Sequence, residues 1–143
     1  MKKFVVFIII VIIIICSISY MYIVNKANYN IAKKQNTTFE EYYQKKVYGA
    51  EVATIINKAI DSNTKNNIQK DEKNNFIENT TNSIKINIKM IDNDKIYPME
   101  VFALDGIDQF IEYYNSIQFE CTKIEYHKST NMVKSLLFEQ ITS

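Results

Sequence analysis

The chain has no arginine and no tryptophan, one proline, one histidine, two glycines and two cysteines among its 143 residues. Each scarcity removes a class of chemistry. Without arginine, the bidentate contacts that nucleic-acid binders make to phosphate and guanine are missing, so no nucleic acid is expected as a partner. Two isolated glycines, Gly49 and Gly106, cannot build a P-loop or a Gly-x-Gly-x-x-Gly turn. His127 with the two distant cysteines Cys16 and Cys121 does not make a structural zinc site. A Ser-His-Asp or Cys-His device would have to use His127, which sits at the end of a hairpin strand beside Lys128 and reads as a solvated surface residue. No catalytic, cofactor-binding or metal site is expected, and the chain is read as a non-enzyme.

Charge is also missing where it matters most. Phe4 to Val24 has no charged side chain, and Phe4 to Ile15 is an unbroken run of Phe, Val and Ile. At about 1.5 Å per residue such a helix reaches roughly 30 Å, the thickness of a bilayer's hydrocarbon core. Lipid offers no hydrogen-bond partners, so the segment must satisfy its backbone internally, as one helix. Residues 4–24 are therefore expected to span the bilayer, with residues 1–3 as a cytoplasmic stub. Lys2 and Lys3 adjoin the run directly and place the N-terminus in the cytoplasm and the rest outside, although Lys26, Lys33 and Lys34 on the far side oppose this. So short a stub would hold no output domain. The rival reading is a cleaved signal peptide, because Ser17-Ile18-Ser19 puts small residues at −3 and −1. Tyr20 to Val24 resumes apolar character with two interfacial tyrosines, which favours an uncleaved anchor. Cys16 follows Ile15 and lacks the small preceding residues of a lipoprotein site. No Gly-x-x-x-Gly face is present to drive association in the membrane.

All 17 basic residues are lysine, and Ile, Lys and Asn are heavily used, which reflects an AT-rich and bacterial coding bias. Lys2 and Lys3 set aside, 15 lysines face 16 acidic residues beyond residue 24, a formal charge of −1. Residues 25–37 read as a polar juxtamembrane segment, either spacer or helical extension. Residues 38–143 read as one extracytoplasmic α+β domain held by its core, since no disulfide framework exists. Thr37 and Thr38 precede Glu40 and Glu41 at capping-box spacing, predicting a helix start and one long helix from Phe39 to about Asp61. Val52, Ile55, Ile56, Ala59 and Ile60 form its apolar stripe. Gly49 inside it predicts close packing against another backbone. Ser62 to Ser83 reads as a loop pinned at Phe76-Ile77. Sequons at Asn36 and Asn79 carry no meaning in so Asn-rich a chain.

Ile84 to Met90 alternates apolar and polar residues, the period of a half-buried strand. Asp92-Asn93-Asp94 makes a turn, and a second strand is expected over Lys95 to Leu104, with Pro98 marking an edge position or an irregularity. Asp105 is expected to cap a short helix bearing Ile107, Phe110, Ile111 and Tyr114. Phe119 to His127 and Met132 to Gln140 give two further strands, with a bulge or twist near Lys123 where the apolar phase shifts. The expected fold is a long and a short helix packed on a roughly four-stranded, mostly antiparallel sheet.

The acidic residues suggest structure rather than chemistry. Asp92, Asp94 and Glu100 lack EF-hand spacing, and Glu120, Glu125 and Glu139 mark a wet strand face. Cys121 alternates in phase with Phe119 and reads as a small buried hydrophobe. Ten tyrosines and eight phenylalanines exceed what so small a domain must bury. One member of each doublet, Tyr42-Tyr43 and Tyr113-Tyr114, should point outward, where Tyr suits protein contacts.

The order of apolar N-terminal helix, further helix and C-terminal antiparallel strands resembles pilin-like subunits of secretion or pilus machines. The likeness is one of layout. No glycine precedes Gly49 and no acidic residue precedes Glu40, so the processed Gly-Phe junction and the membrane-embedded glutamate of that family have no counterpart. The sequence points to a single-pass component of a bacterial cell-envelope assembly that contacts lipid through residues 4–24 and unidentified envelope proteins through its head. A ligand-sensing domain acting through a membrane partner is the alternative.

Overall fold

The computed structural model describes residues 2–92, 94–104 and 106–141. Its elements run α1 (Lys2–Glu40), β1 (Lys46–Tyr48), α2 (Gly49–Lys65), β2 (Lys85–Lys89), β3 (Ile96–Pro98), α3 (Met99–Leu104), α4 (Ile107–Tyr114), β4 (Gln118–Tyr126) and β5 (Val133–Gln140). The chain divides into two units, Met1–Lys34 and Gln35–Ser143.

The first unit is helix alone. Neither glycine nor proline occurs between Lys2 and Glu40, so nothing interrupts the hydrogen-bond ladder. The apolar side chains from Phe4 to Ile23 are exposed, and none of the most apolar stretch is buried within the protein. Ser17 donates its hydroxyl to the Ile13 carbonyl at 2.8 Å, satisfying locally a group that lipid could not. Among the described residues α1 is the one helix long and apolar enough to cross a membrane, a property shared by membrane anchors and signal sequences. The polar stretch 25–37 is helical, which resolves the choice between spacer and helical extension.

The second unit is a mixed α+β domain. Its five-stranded sheet has the order β1-β4-β5-β2-β3. All neighbours are antiparallel except β2 and β5, which run parallel with Lys85 opposite Ser135 and Lys89 opposite Glu139. The expected four-stranded sheet thus gains the short strand β1 and one parallel pair. β3 occupies an edge, where Pro98 costs no ladder bond. The bulge falls between Cys121 and Lys123, as the apolar phase predicts. One sheet face carries Val47, Ile86, Ile88, Phe119, Cys121, Leu136 and Phe138, all buried with Val52, Ile55, Ile56 and Ala59 of α2, Met99 of α3 and Phe110 of α4. Each buried Val, Leu, Ile, Phe or Met among them contributes about 1.5–3 kcal/mol. The other face carries Lys85, Asn87, Lys89, Glu125 and Glu139, all half-exposed.

The long helix expected over Phe39 to Asp61 is two elements instead. Thr37 and Thr38 lie inside α1, whose preceding turns already occupy the N–H groups that a capping box would satisfy. The chain reverses at Gln44, which adopts a left-handed φ of 60°. Cross-chain bonds hold it there: Gln44 N–H donates to the Cys121 carbonyl at 2.9 Å, and Cys121 N–H to the Lys45 carbonyl at 3.1 Å. Gly49 then opens α2 rather than interrupting a helix. A Cβ there would collide with the Tyr114 carbonyl oxygen and lie 2.6 Å from its carbon, so the predicted close backbone approach is present. Ser62 to Lys65, expected as loop, forms the last turn of α2. The strand expected over Lys95 to Leu104 stops at Pro98, and Met99–Leu104 turns into helix α3. The cap expected at Asp105 and the middle of the turn at Asn93 lie outside the described residues.

Candidate functional site

The segment between α2 and β2 is built around two side-chain clamps. Asn63, fully buried, donates from Nδ2 to the Ile84 carbonyl and accepts at Oδ1 from Ile84 N–H, both at 2.8 Å. This ties the end of α2 to the start of β2, mimicking a strand neighbour. Asp71 accepts from Lys73 and Asn75 N–H at 2.9 and 2.8 Å and from Asn75 Nδ2 at 3.1 Å. These bonds hold its carboxyl below the usual range, the Asn75 side chain contributing most. Asn74 takes the left-handed φ of 64° that the tight turn requires, a conformation Asn tolerates. The turn brings Lys70 and Phe76 together in an isolated bridge, and Phe76 is buried while Ile77 is exposed. Of the expected Phe76-Ile77 pin, only Phe76 enters the core.

Against this turn α3 places Glu100, only 4% exposed. One carboxylate oxygen, Oε1, accepts from Phe76 N–H at 3.3 Å. The other, Oε2, is buried without a hydrogen-bond partner. An acceptor withdrawn from water and left unpaired costs about 1–3 kcal/mol, and more for a charged group. Glu100 lines a cavity of about 280 Å³ together with Asn57 and Ile60 of α2, Lys70 and Phe76 of the turn, and Leu104 of α3. The Lys70 ammonium stands 4.6 Å from the centre of the Phe76 ring. Glu100, Lys70 and an apolar wall thus line one concavity, while the unpartnered Glu100 oxygen itself is sealed from solvent. A second, wider cleft of about 590 Å³ lies between Tyr48, Ile91, Ile117 and Gln140, with no buried unpaired group among its described lining residues.

Apart from Glu100 and Phe76, the residues weighed from sequence lie elsewhere. His127 is a correction: it is 3% exposed, and its Nε2 donates to the Ser83 carbonyl at 2.7 Å. The 79–83 segment folds over the β4–β5 hairpin, Ser129 and Thr130 donating their hydroxyls to the Thr80 and Thr81 carbonyls, and this covers the ring. Cys121 is fully buried as expected, and burial pushes its thiol up to about 11. Asp94 pairs with Lys89 at 2.8 Å, and Glu139 lies 3.7 Å from the same ammonium. Glu125 pairs with Lys123 at 2.7 Å, which lowers its carboxyl, and accepts from Ser135 at 3.2 Å. These are exposed pairs on the sheet's open face, where an ion pair contributes little. The tyrosine doublets split as expected. Tyr42 is 7% exposed and Tyr43 40%, while Tyr113 is 71% exposed and Tyr114 packs against the core. Partial burial raises the hydroxyl of Tyr126, also exposed, and the nearby Glu40 carboxylate adds to the effect. Among the described residues no group of three His, Cys, Asp or Glu could hold a metal ion.

Glu100 is the residue that sequence reasoning passed over, grouping it with the turn aspartates. Its signal was a lone charge inside the apolar run Met99-Glu100-Val101-Phe102, which in a helix directs one carboxylate toward the core. No protein family matches the chain, and no curated protein or solved structure does so either.

Proposed function

We propose that the chain is a non-enzymatic, single-pass component of a bacterial cell-envelope assembly. In this reading residues 4–24 cross the membrane with the N-terminus in the cytoplasm, and the domain contacts protein partners on the extracytoplasmic side. The carrying observation is a contrast in burial: a helix whose apolar side chains find no cover within the protein, and a folded domain that closes its own core yet keeps Tyr43, Tyr48, Tyr113 and Tyr126 at its surface. Surface tyrosines give large contact area at low entropic cost. Pilin-like processing and polymerisation form no part of the proposal, because their sequence marks are missing. Site-specific photocrosslinking in native membranes tests it. A photoreactive residue at Tyr113 or Tyr48 should give discrete adducts, and one at Lys73 should not. Monomer alone from every position would contradict the reading.

A second reading, a ligand-sensing domain acting with a membrane partner, draws support from one observation, the cavity at Glu100 with its unpaired oxygen.

A further inference from the structure

The Glu100 cavity carries two opposite charges and one apolar wall, and that combination narrows what it would take. Glu100 Oε2 needs a donor and has none. Lys70 makes no ion pair within 4 Å among the described residues, its ammonium resting against the Phe76 ring instead. Ile60, Phe76 and Leu104 supply the apolar surface between α2, the turn and α3. A simple amine would satisfy Glu100 but confront the Lys70 ammonium. A simple acid would satisfy Lys70 but confront the Glu100 carboxylate. A zwitterion with an aliphatic body answers both charges and the wall. At about 280 Å³ the space sits just below the usual range for ligand pockets, too small for a nucleotide or an oligosaccharide.

We propose that this cavity is a binding site for a free aliphatic α-amino acid, with its ammonium donating to Glu100, its carboxylate paired with Lys70, and its side chain against Ile60, Phe76 and Leu104. The Glu100 oxygen is sealed from solvent, so binding includes a side-chain rearrangement at the lining. Lys70 and Leu104, like Asn57, Asn74 and Ala103, are exposed lining side chains, free to move aside. Bound amino acid would bridge α2, α3 and the 70–76 turn, which otherwise meet through the single Phe76–Glu100 hydrogen bond and apolar contact. This deepens the ligand-sensing reading and rests on it; the protein-contact reading stands or falls separately.

The test is calorimetric titration of the full chain in lipid nanodiscs with L-leucine, 3-methylbutylamine and 4-methylpentanoate. Wild type is compared with Glu100→Gln, Lys70→Gln and Ala103→Leu, the last filling the cavity and correcting for partition into lipid. L-Leucine should bind at one site, with affinity at least about tenfold weaker in Glu100→Gln and Lys70→Gln and lost in Ala103→Leu. Each analogue should bind at least about tenfold more weakly than leucine. If Glu100→Gln fails to fold by circular dichroism, Lys70→Gln and Ala103→Leu, at exposed lining positions, decide the matter. Absence of leucine binding to wild type, or leucine affinity unchanged in the charge variants, overturns the proposal. Binding of an analogue but not leucine, sensitive to Ala103→Leu, overturns the amino acid and keeps the ligand-sensing reading. Binding of none of the three sinks both.

Discussion

Ile14 and Ile56 carry the same side chain in the same secondary structure, yet Ile14 is 53% exposed and Ile56 fully buried. The difference lies in what each helix can reach. Ile56 belongs to a stripe, and α2 turns that stripe onto the apolar face of the sheet. Ile14 belongs to a helix that is apolar all round, so no single face can be buried to satisfy it. The core of the folded domain is built from residues Phe39 to Phe138. Apolar surface that the protein does not cover, in a run of bilayer length, is what membrane anchors and signal sequences share.

The sharpest way to break this contrast is to put charge into the exposed helix. Ile12→Lys with Ile13→Lys should cost about 2.5–3.5 kcal/mol per residue at the membrane centre and move the protein out of the membrane fraction. Circular dichroism of the domain should stay unchanged. Next in size is Phe119→Ala, which should lower the domain's unfolding free energy in urea by about 3–5 kcal/mol, whereas Phe7→Ala should leave it unchanged. The two glycines refine the point within the domain. Gly49→Ala drives a methyl into the Tyr114 carbonyl and should cost about 1–3 kcal/mol in the same assay. Gly106→Ala meets nothing within 4 Å and suffers only its left-handed φ of 89°, about 1–2 kcal/mol. The smallest effect is confined to alkaline pH. The Cys121 thiol is neutral when protonated and burial raises it from 9.0 to about 11, so its contribution is intact below pH 9 and lost as pH climbs toward 11. Urea midpoints of wild type against Cys121→Val should diverge only above pH 9.

What was legible in the sequence was whatever is local. The alternation of Ile84, Ile86, Ile88 and Met90 needed only the strand period, and all four are buried. The β4–β5 hairpin, its bulge and the α4 stripe followed from the same arithmetic. What escaped was set by distant partners. No glycine or proline announces the reversal at Gln44; bonds to Cys121, far along the chain, impose it. Phe39, Tyr42, Tyr43 and Val47 continue an apolar surface upstream of the Val52 stripe, so two elements read as one helix. The parallel pairing of β2 with β5 joins strands far apart in sequence, which no local pattern encodes. His127 read as surface because its cover, Ser83, lies 44 positions away. The cavity was out of reach for the same reason, since Lys70 and Glu100 meet only through the fold.

The central claim is that the apolar helix stays attached and holds the domain at a membrane. Intact-mass spectrometry of the native protein from carbonate-washed membranes tests it most directly. The whole chain, 16.8 kDa, is expected in the membrane pellet. A shorter species lacking residues 1–19, recovered from the soluble fraction, would contradict it.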